Sequence, residues 1–415
     1  MRVSVYVLNM RGEPLMPTSP TKARKLLKTG NAKVKRTQPF TIQLTIATGE
    51  TKQPITLGVD AGSKTVGLSA TTDEEEVYAA ECLLRDDVVD NLATRREFRR
   101  SRRHRKTRYR KARFNNRLKS KGWLAPSVEQ KIETHFRLIR DVHKILPITK
   151  IRVEVAQFDI QKIKNPDISG IEYQQGEQLD FWNVREYILW RDGHKCVQCS
   201  GKSGDSILNV HHIESRKVGG NAPNNLVTLC ETCHNKHHMG EIQVKVKRSQ
   251  SFRDVAFMGI MRWAFYNRLK ELYPNVSLTY GYITKNRRIQ SGLGKSHIVD
   301  ARCVTGNPLV VPSSIIYELK AVRTKNRQIH KATTNKGNYR KLNQQPKYVH
   351  GFQLYDKVQI NNGVVGFIGA RRKSGSFRVV DARGNQLANS GISYKKLRLL
   401  ENRKAILTGV KTVIS

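Results

Sequence analysis

Two Cys-x-x-Cys pairs, Cys196/Cys199 and Cys230/Cys233, constrain this chain more than any other feature. Thirty residues separate the pairs. Each can present two thiolates to one tetrahedral ion, so the two together close a structural zinc site around one small module. Six cysteines in 415 residues are too few for a disulfide framework, and paired spacing goes with metal in a reducing compartment. A redox role for either pair would need a βαβ frame, which the flanking sequence lacks.

Charge narrows the partner. Lys and Arg number 75 against 34 Asp and Glu, a net +41, which favours a polyanion and above all nucleic acid. No apolar run approaches the ~20 residues of a membrane span. The opening MRVSVYVLNM is too short and too soon interrupted for a signal peptide. The expectation is a cytoplasmic protein of a prokaryote, nucleoid-associated when bound to DNA, with no membrane contact. At ~150 residues per domain the chain holds two to four domains.

The pattern along the chain is mixed α/β. Val3, Val5 and Val7 alternate as in a strand, and PLMPTSPTKARKLL reads as a turn and a helix with Ser19 or Thr21 as N-cap. ITLGVDAGSKTVGLSATT is two apolar strands about a tight turn, and EVYAAECLL a third. Between Arg95 and Lys119 stand 14 Lys or Arg in 25 residues with one acid, Glu97, and neither Pro nor Gly. That segment allows one long helix, basic on every face. Apolar residues from Ile132 to Ile145 recur at helical spacing, KIRVEVAQF is a buried strand, 160–185 is loop-like, and 254–272 is helical. VSLTYGYIT reads as a strand and HIVDARCV as a helix. From about 348, short strands with Gly turns predict a small β-barrel or sandwich.

The stretch VHHIESRKVGGNAPNNLVTLCETCHNKHH resembles the zinc-ribbon HNH endonucleases, a ββα-metal fold. The resemblance implies that His211 binds a catalytic metal and His212 is the general base that activates water. It implies that Asn225 braces the hairpin. His234 and His238, one helical turn apart, would complete the metal site, with His237 an alternative to His238. The expected catalytic ion is Mg²⁺ or Mn²⁺, distinct from the structural zinc.

Three acids elsewhere have telling frames. Asp60 ends the apolar strand TLGVD, Glu154 sits inside IRVEVAQF, and Asp300 follows His297 by three residues on a predicted helix. A carboxylate in a buried strand is costly unless paired or metal-bound. Together they resemble the RuvC nuclease site of the ribonuclease H fold. The resemblance implies two-metal phosphodiester hydrolysis, with Asp60 bridging the ions, Glu154 and Asp300 each holding one, and His297 near the attacking water.

The order of these parts, with Pro14-Leu15-Met16-Pro17 near the start, resembles the IscB family of RNA-guided nucleases encoded by insertion sequences and related to the CRISPR type II effectors. The implied architecture is a split ribonuclease H-like (RuvC) domain with an inserted HNH module. Its parts are a PLMP domain (1–50), RuvC-like segments (51–90, 123–175, 246–330), an arginine-rich bridge helix (91–122), the HNH module (176–245) and a C-terminal β domain (331–415). The bridge helix would lie along guide-RNA phosphates through Arg95, Arg96, Arg99, Arg100, Arg102, Arg103, Arg105, Arg108, Arg110 and Arg113, because guanidinium suits bidentate phosphate contact. The C-terminal domain would read a short motif flanking the double-stranded DNA target and touch RNA, with Tyr394, Lys395 and Lys396 as candidates. The implied assembly is one protein chain with an ωRNA-like guide. The HNH site would cut the guide-paired strand and the RuvC-like site the displaced strand. The alternatives are an RNA-independent homing or restriction endonuclease and a catalytically decayed transposon accessory protein.

Overall fold

The computed structural model describes residues 4–103, 122–155, 183–215, 221–248, 253–324 and 346–412. The first strands and helix are β1 (Tyr6–Leu8), α1 (Pro20–Lys28), β2 (Ala32–Arg36) and β3 (Thr41–Leu44). They make a sheet of order β1-β3-β2 over a core of Val5, Val7, Leu15, Ala23, Ile42 and Leu44. Ser19, of the two candidates, caps α1, its hydroxyl accepting the Lys22 N–H at 3.3 Å, and Pro20 takes the first turn, where a missing N–H costs nothing.

An antiparallel meander follows: β4 (Thr56–Ala61), β5 (Thr65–Thr71) and β6 (Glu76–Leu83). The basic segment enters as α2 (Val88–Arg103), on which Arg95, Arg96, Arg99 and Arg100 are exposed. Arg102 and Arg103 close this helix. Arg105, Arg108, Arg110 and Arg113 lie outside the described residues. Helix α3 (Pro126–His143) buries Ile132, Phe136, Ile139 and Val142, as their spacing predicts. Strand β7 (Lys150–Val155) then lies parallel to β4.

The cysteine-rich region supplies α4 (Val184–Arg191), β8 (Leu208–His212), β9 (Leu226–Cys230) and α5 (Glu231–His238). The chain continues through α6 (Arg253–Leu272), β10 (Val276–Tyr280), α7 (Gly281–Gln290), α8 (His297–Thr305) and β11 (Ile315–Ala321). Strands β12 (Lys357–Ile360), β13 (Val365–Arg371), β14 (Ser376–Val380), β15 (Ile392–Ser393) and β16 (Leu397–Glu401) form an antiparallel sheet, and β17 (Ile406–Thr412) ends the description.

The central sheet has seven strands in the order β10-β7-β4-β5-β6-β11-β17. Its middle is dry: Leu57, Val59, Val66, Leu68, Ala79, Ala80 and Val153 are fully buried. By compactness the chain divides into one unit of Met1–Lys119, Ala125–Gln157 and Met261–Ser415, and another of Ser120–Leu124 and Phe158–Ile260. Among the described residues no helix is long and apolar enough to cross a membrane.

Two expectations need correction. VSLTYGYIT is not one strand: β10 stops at Tyr280 and Gly281 opens α7. The chain turns there beside the Glu154 side chain, whose Oε1 would lie 3.2 Å from a Cβ on Gly281. The C-terminal region is not a closed barrel but an open sheet of order β15-β14-β13-β12-β16. Its last strand leaves it: β17 pairs antiparallel with β11, covering an edge of the central sheet that would otherwise expose unpaired backbone groups.

Candidate functional site

The zinc module builds its chemistry from a hairpin and one short helix. Strands β8 and β9 pair with His211 opposite Val227 and Leu208 opposite Cys230. Cys230 ends β9 and is the N-cap residue of α5, so Cys233, His234, His237 and His238 follow on one helix. The cysteine knuckle therefore fixes the helix against the hairpin that carries His211. Cys196, Cys199, Cys230 and Cys233 bring their sulfurs within 4.8 Å of one another. Cys199 Sγ and Cys230 Sγ are 3.8 Å apart, the edge of a tetrahedron with Zn–S bonds of about 2.3 Å. Ser203 donates a hydrogen bond to Cys230 Sγ at 3.2 Å. The donor set fits zinc.

The second cluster is His211, His234 and His238, whose ring nitrogens also lie within 4.8 Å of one another. His234 Nε2 and His238 Nε2 are 3.3 Å apart, a spacing that suits two ligands on one tetrahedral ion with metal–nitrogen bonds of about 2.0–2.1 Å. Between the two candidates for the last ligand the geometry selects His238. His237 instead donates from Nδ1 to the Ile242 carbonyl at 3.1 Å. Burial, reinforced by the neighbouring imidazoles, holds His211 down at about 4, keeping it neutral and free to coordinate. Three imidazoles are a softer set than Mg²⁺ prefers, so this cluster fits a borderline ion better than the expected Mg²⁺.

His212 faces away from that cluster, as strand alternation requires. Its Nε2 is 2.9 Å from Asn221 Oδ1. An amide oxygen only accepts, so Nε2 carries the proton and Nδ1 keeps its lone pair. Asn225 is fully buried, accepts the Glu214 N–H at 2.8 Å and donates to the Glu214 carbonyl at 3.0 Å. It braces the chain just after the histidine pair.

The acids gather on the central sheet. Asp60 on β4 and Glu154 on β7 are register partners across a parallel pair, so their side chains leave the same face. Helix α8 brings the rest. Ser296 caps it, accepting the Val299 N–H at 3.2 Å. It lies so close to the sheet that a Cβ on Gly58 would sit 2.1 Å from the Ala301 carbonyl oxygen, and one on Gly67 2.0 Å from that of His297. His297 Nδ1 donates to Asp60 Oδ2 at 2.7 Å. That contact raises the imidazole above its ordinary range. Asp300 pairs with Arg288 of α7 at 3.1 Å. Glu154 Oε2 is buried and has no hydrogen-bond partner among the described residues. Burial pushes the Glu154 carboxyl up to about 7, and the charges of Asp60 and Asp300 push the same way. Asp60 and Asp300 stand near enough for their charges to act on Glu154, but the three carboxylates do not close within 4.8 Å as the cysteine and histidine clusters do; the buried Glu154 Oε2 beside Asp60 is the feature that would suit a hard divalent cation.

Two family models match: "RRXRR protein" over residues 5–176 and "HNH endonuclease" over residues 196–240. The chain carries an RRXRR segment and an HNH endonuclease module. A 58-residue stretch of the chain, 14% of its length, is 34% identical to Anaredoxin of Nostoc sp. and covers 74% of that protein, which places the stretch in one family with it. Among solved structures it is similar to Streptococcus thermophilus Cas9 in complex with the AGAA PAM, at 14% identity and a TM-score of 0.32, covering 51% of this chain and 30% of that one. It is also similar to the Type II-C Cas9 enzyme from Actinomyces naeslundii, at 11% identity and a TM-score of 0.20, covering 61% and 60%. The chain thus spans about a third of the length of the first structure.

Several residues around these clusters carry no mark in the sequence. Arg288, Asn221 and the helix seats Gly58 and Gly67 act through contacts that only folding makes. One signal was there to be read: Arg99-Arg100-Ser101-Arg102-Arg103 fits the pattern in the name RRXRR.

Proposed function

We propose that this endonuclease is guided by RNA, belongs to a mobile element, and cuts the two strands of a DNA target at separate sites. The observation that carries the reading is that one strongly basic chain holds two chemically different hydrolytic constellations: three imidazoles beside His212, and Asp60, Glu154 and Asp300 beside His297. The sheet order supports a RuvC-like, ribonuclease H-type reading of the second. An antiparallel meander β4-β5-β6 is flanked on the β4 side by two parallel strands, β7 and β10.

At the HNH site His211, His234 and His238 would hold a divalent ion, which when bound offsets charge on the phosphate and the leaving oxygen. His212 takes the proton of the attacking water on Nδ1, while Asn221 holds Nε2–H and keeps the ring from turning. Asn225 locks the loop that carries the pair. This site cuts the guide-paired strand.

At the second site Asp60, Glu154 and Asp300 would hold two divalent ions, which supply an activated water and stabilise the leaving oxygen. Asp60 orients His297 through Nδ1, leaving Nε2 to take a proton from the water. Arg288 offsets the charge of Asp300. This site cuts the displaced strand. The exposed arginines of α2 would lie along the RNA backbone, and the C-terminal sheet would read the motif flanking the target.

The test is to sequence the RNA that copurifies with the chain and to assay strand-specific nicking of labelled duplex that matches it. Cutting of both strands only when guide and target match supports the reading. Cutting that ignores the RNA favours an RNA-independent HNH endonuclease.

A further inference from the structure

Helix α7 carries two stripes. Gly281, Thr284 and Arg288 face the acids: Gly281 lies against Glu154, Thr284 is buried, and Arg288 pairs with Asp300. One residue on, rotated by about 100°, come Tyr282, Lys285 and Ile289, all exposed, with Tyr282 at 52% and Ile289 at 58%. Tyr280, at the end of β10, sets its ring within 10° of parallel to that of Tyr282, with centroids 6.3 Å apart. An exposed tyrosine ring set parallel to a half-buried one, with an exposed lysine on the same stripe, is poorly suited to solvent. It is well suited to a chain that alternates flat apolar bases with anionic phosphates.

We infer that Tyr280 and Tyr282 are a base-stacking platform that holds the displaced single DNA strand at the acidic site, with Lys285 on its phosphates. This rests on the reading of Asp60, Glu154 and Asp300 as the centre that cuts that strand. The platform explains how a strand freed from its partner is kept from drifting past a site whose carboxylates repel it. Stacking is indifferent to base identity, so the platform holds any sequence the guide selects.

The test uses the full chain as purified with its RNA. Matching duplex carrying 5-iododeoxyuridine in the displaced strand is irradiated without divalent ion, and the adducts are mapped. Separately, cutting of each strand is timed for Tyr282→Ala and Tyr282→Phe. The expected results are an adduct on Tyr282 or Tyr280, displaced-strand cutting about tenfold slower in Tyr282→Ala, near-normal rates in Tyr282→Phe, and guide-paired cutting unchanged. Normal displaced-strand cutting by Tyr282→Ala, equal slowing of both strands, or adducts that map to neither tyrosine overturns the platform. Asp60→Ala separates the two claims: if it cuts the displaced strand normally, the assignment of the acidic site fails, whatever the tyrosines do.

Discussion

Asp60 and Glu154, far apart in the chain, are register partners on adjacent parallel strands, and the buried Glu154 Oε2 has no hydrogen-bond partner among the described residues. Two acids on one face of a sheet repel, and the arrangement makes sense as a cation cradle. Asp60→Ala and Glu154→Ala should each reduce displaced-strand cutting by more than the ~100-fold typical of residues that only support a ligand. Guide-paired cutting should continue, and the double variant should be no worse than either single one. Strand-specific nicking of labelled duplex checks this, and normal displaced-strand cutting by Glu154→Ala sinks the split site.

The raised carboxyl of Glu154 makes a prediction about pH. Its folded value, about 7, lies above its unfolded one, so the native state holds the proton more tightly. Stability from this group is present at low pH and is lost as pH rises through about 7. Without divalent ions, Glu154→Gln should therefore gain Tm relative to wild type as pH goes from 5 to 8. Adding Mg²⁺ should shrink that gap, because the cation then offsets the charge. A gap that does not change with pH in thermal melts would contradict the account.

At the other site, His212→Ala should slow guide-paired cutting by about 10²–10⁴-fold, the usual contribution of a general base. The displaced strand should still be nicked. The two cuts should also part by metal: Mn²⁺ should support both, while Mg²⁺ should favour the carboxylate site over the three-imidazole site. Identical metal profiles for the two strands would count against separate centres.

Cys196→Ser or Cys230→Ser should remove the bound zinc, about one ion per chain. Because Cys230 joins β9 to α5, guide-paired cutting should be lost with it. Elemental analysis and circular dichroism check this, and active protein without zinc would refute it.

Gly67→Ala tests the seat of α8. A methyl group there meets the His297 carbonyl at 2.0 Å, so the helix must move off β5. We expect a destabilisation of about 1–3 kcal/mol and a loss of displaced-strand cutting larger than that of guide-paired cutting. Equal, unchanged rates would show that the close approach is not needed.

Wherever a residue's placement is set locally, it was legible in the sequence. The cysteine spacing, the paired histidines, the Asn225 brace, Ser19 before Pro20, and the strands of the meander all depend on neighbours a few positions away. The His297-Asp300 spacing on a helix belongs with them. Misreadings, and one choice left open, arose where distant contacts decide. VSLTYGYIT alternates like a strand, yet the chain turns at Gly281 because the Glu154 side chain lies there. Strand β17 looks like one more strand of the C-terminal sheet, but it pairs with β11. The choice between His237 and His238 rests on the Ile242 carbonyl, which claims His237 Nδ1.

The sequence by itself determined which chemistries are present, because metal-ligand spacing, strand alternation and charge are properties of short segments. The tertiary structure alone decided that Asp60 and Glu154 are register partners, that α8 brings His297 and Asp300 toward them, and that Arg288 pairs with Asp300. It also decided that Asn221 hydrogen-bonds the His212 ring, and that Tyr280 and Tyr282 stand where β10 meets α7, beside Glu154. The physical reason is the same in each case: these relationships are set by strand register and by how closely a helix can approach a sheet. Those quantities exist only once segments remote in the chain have packed together.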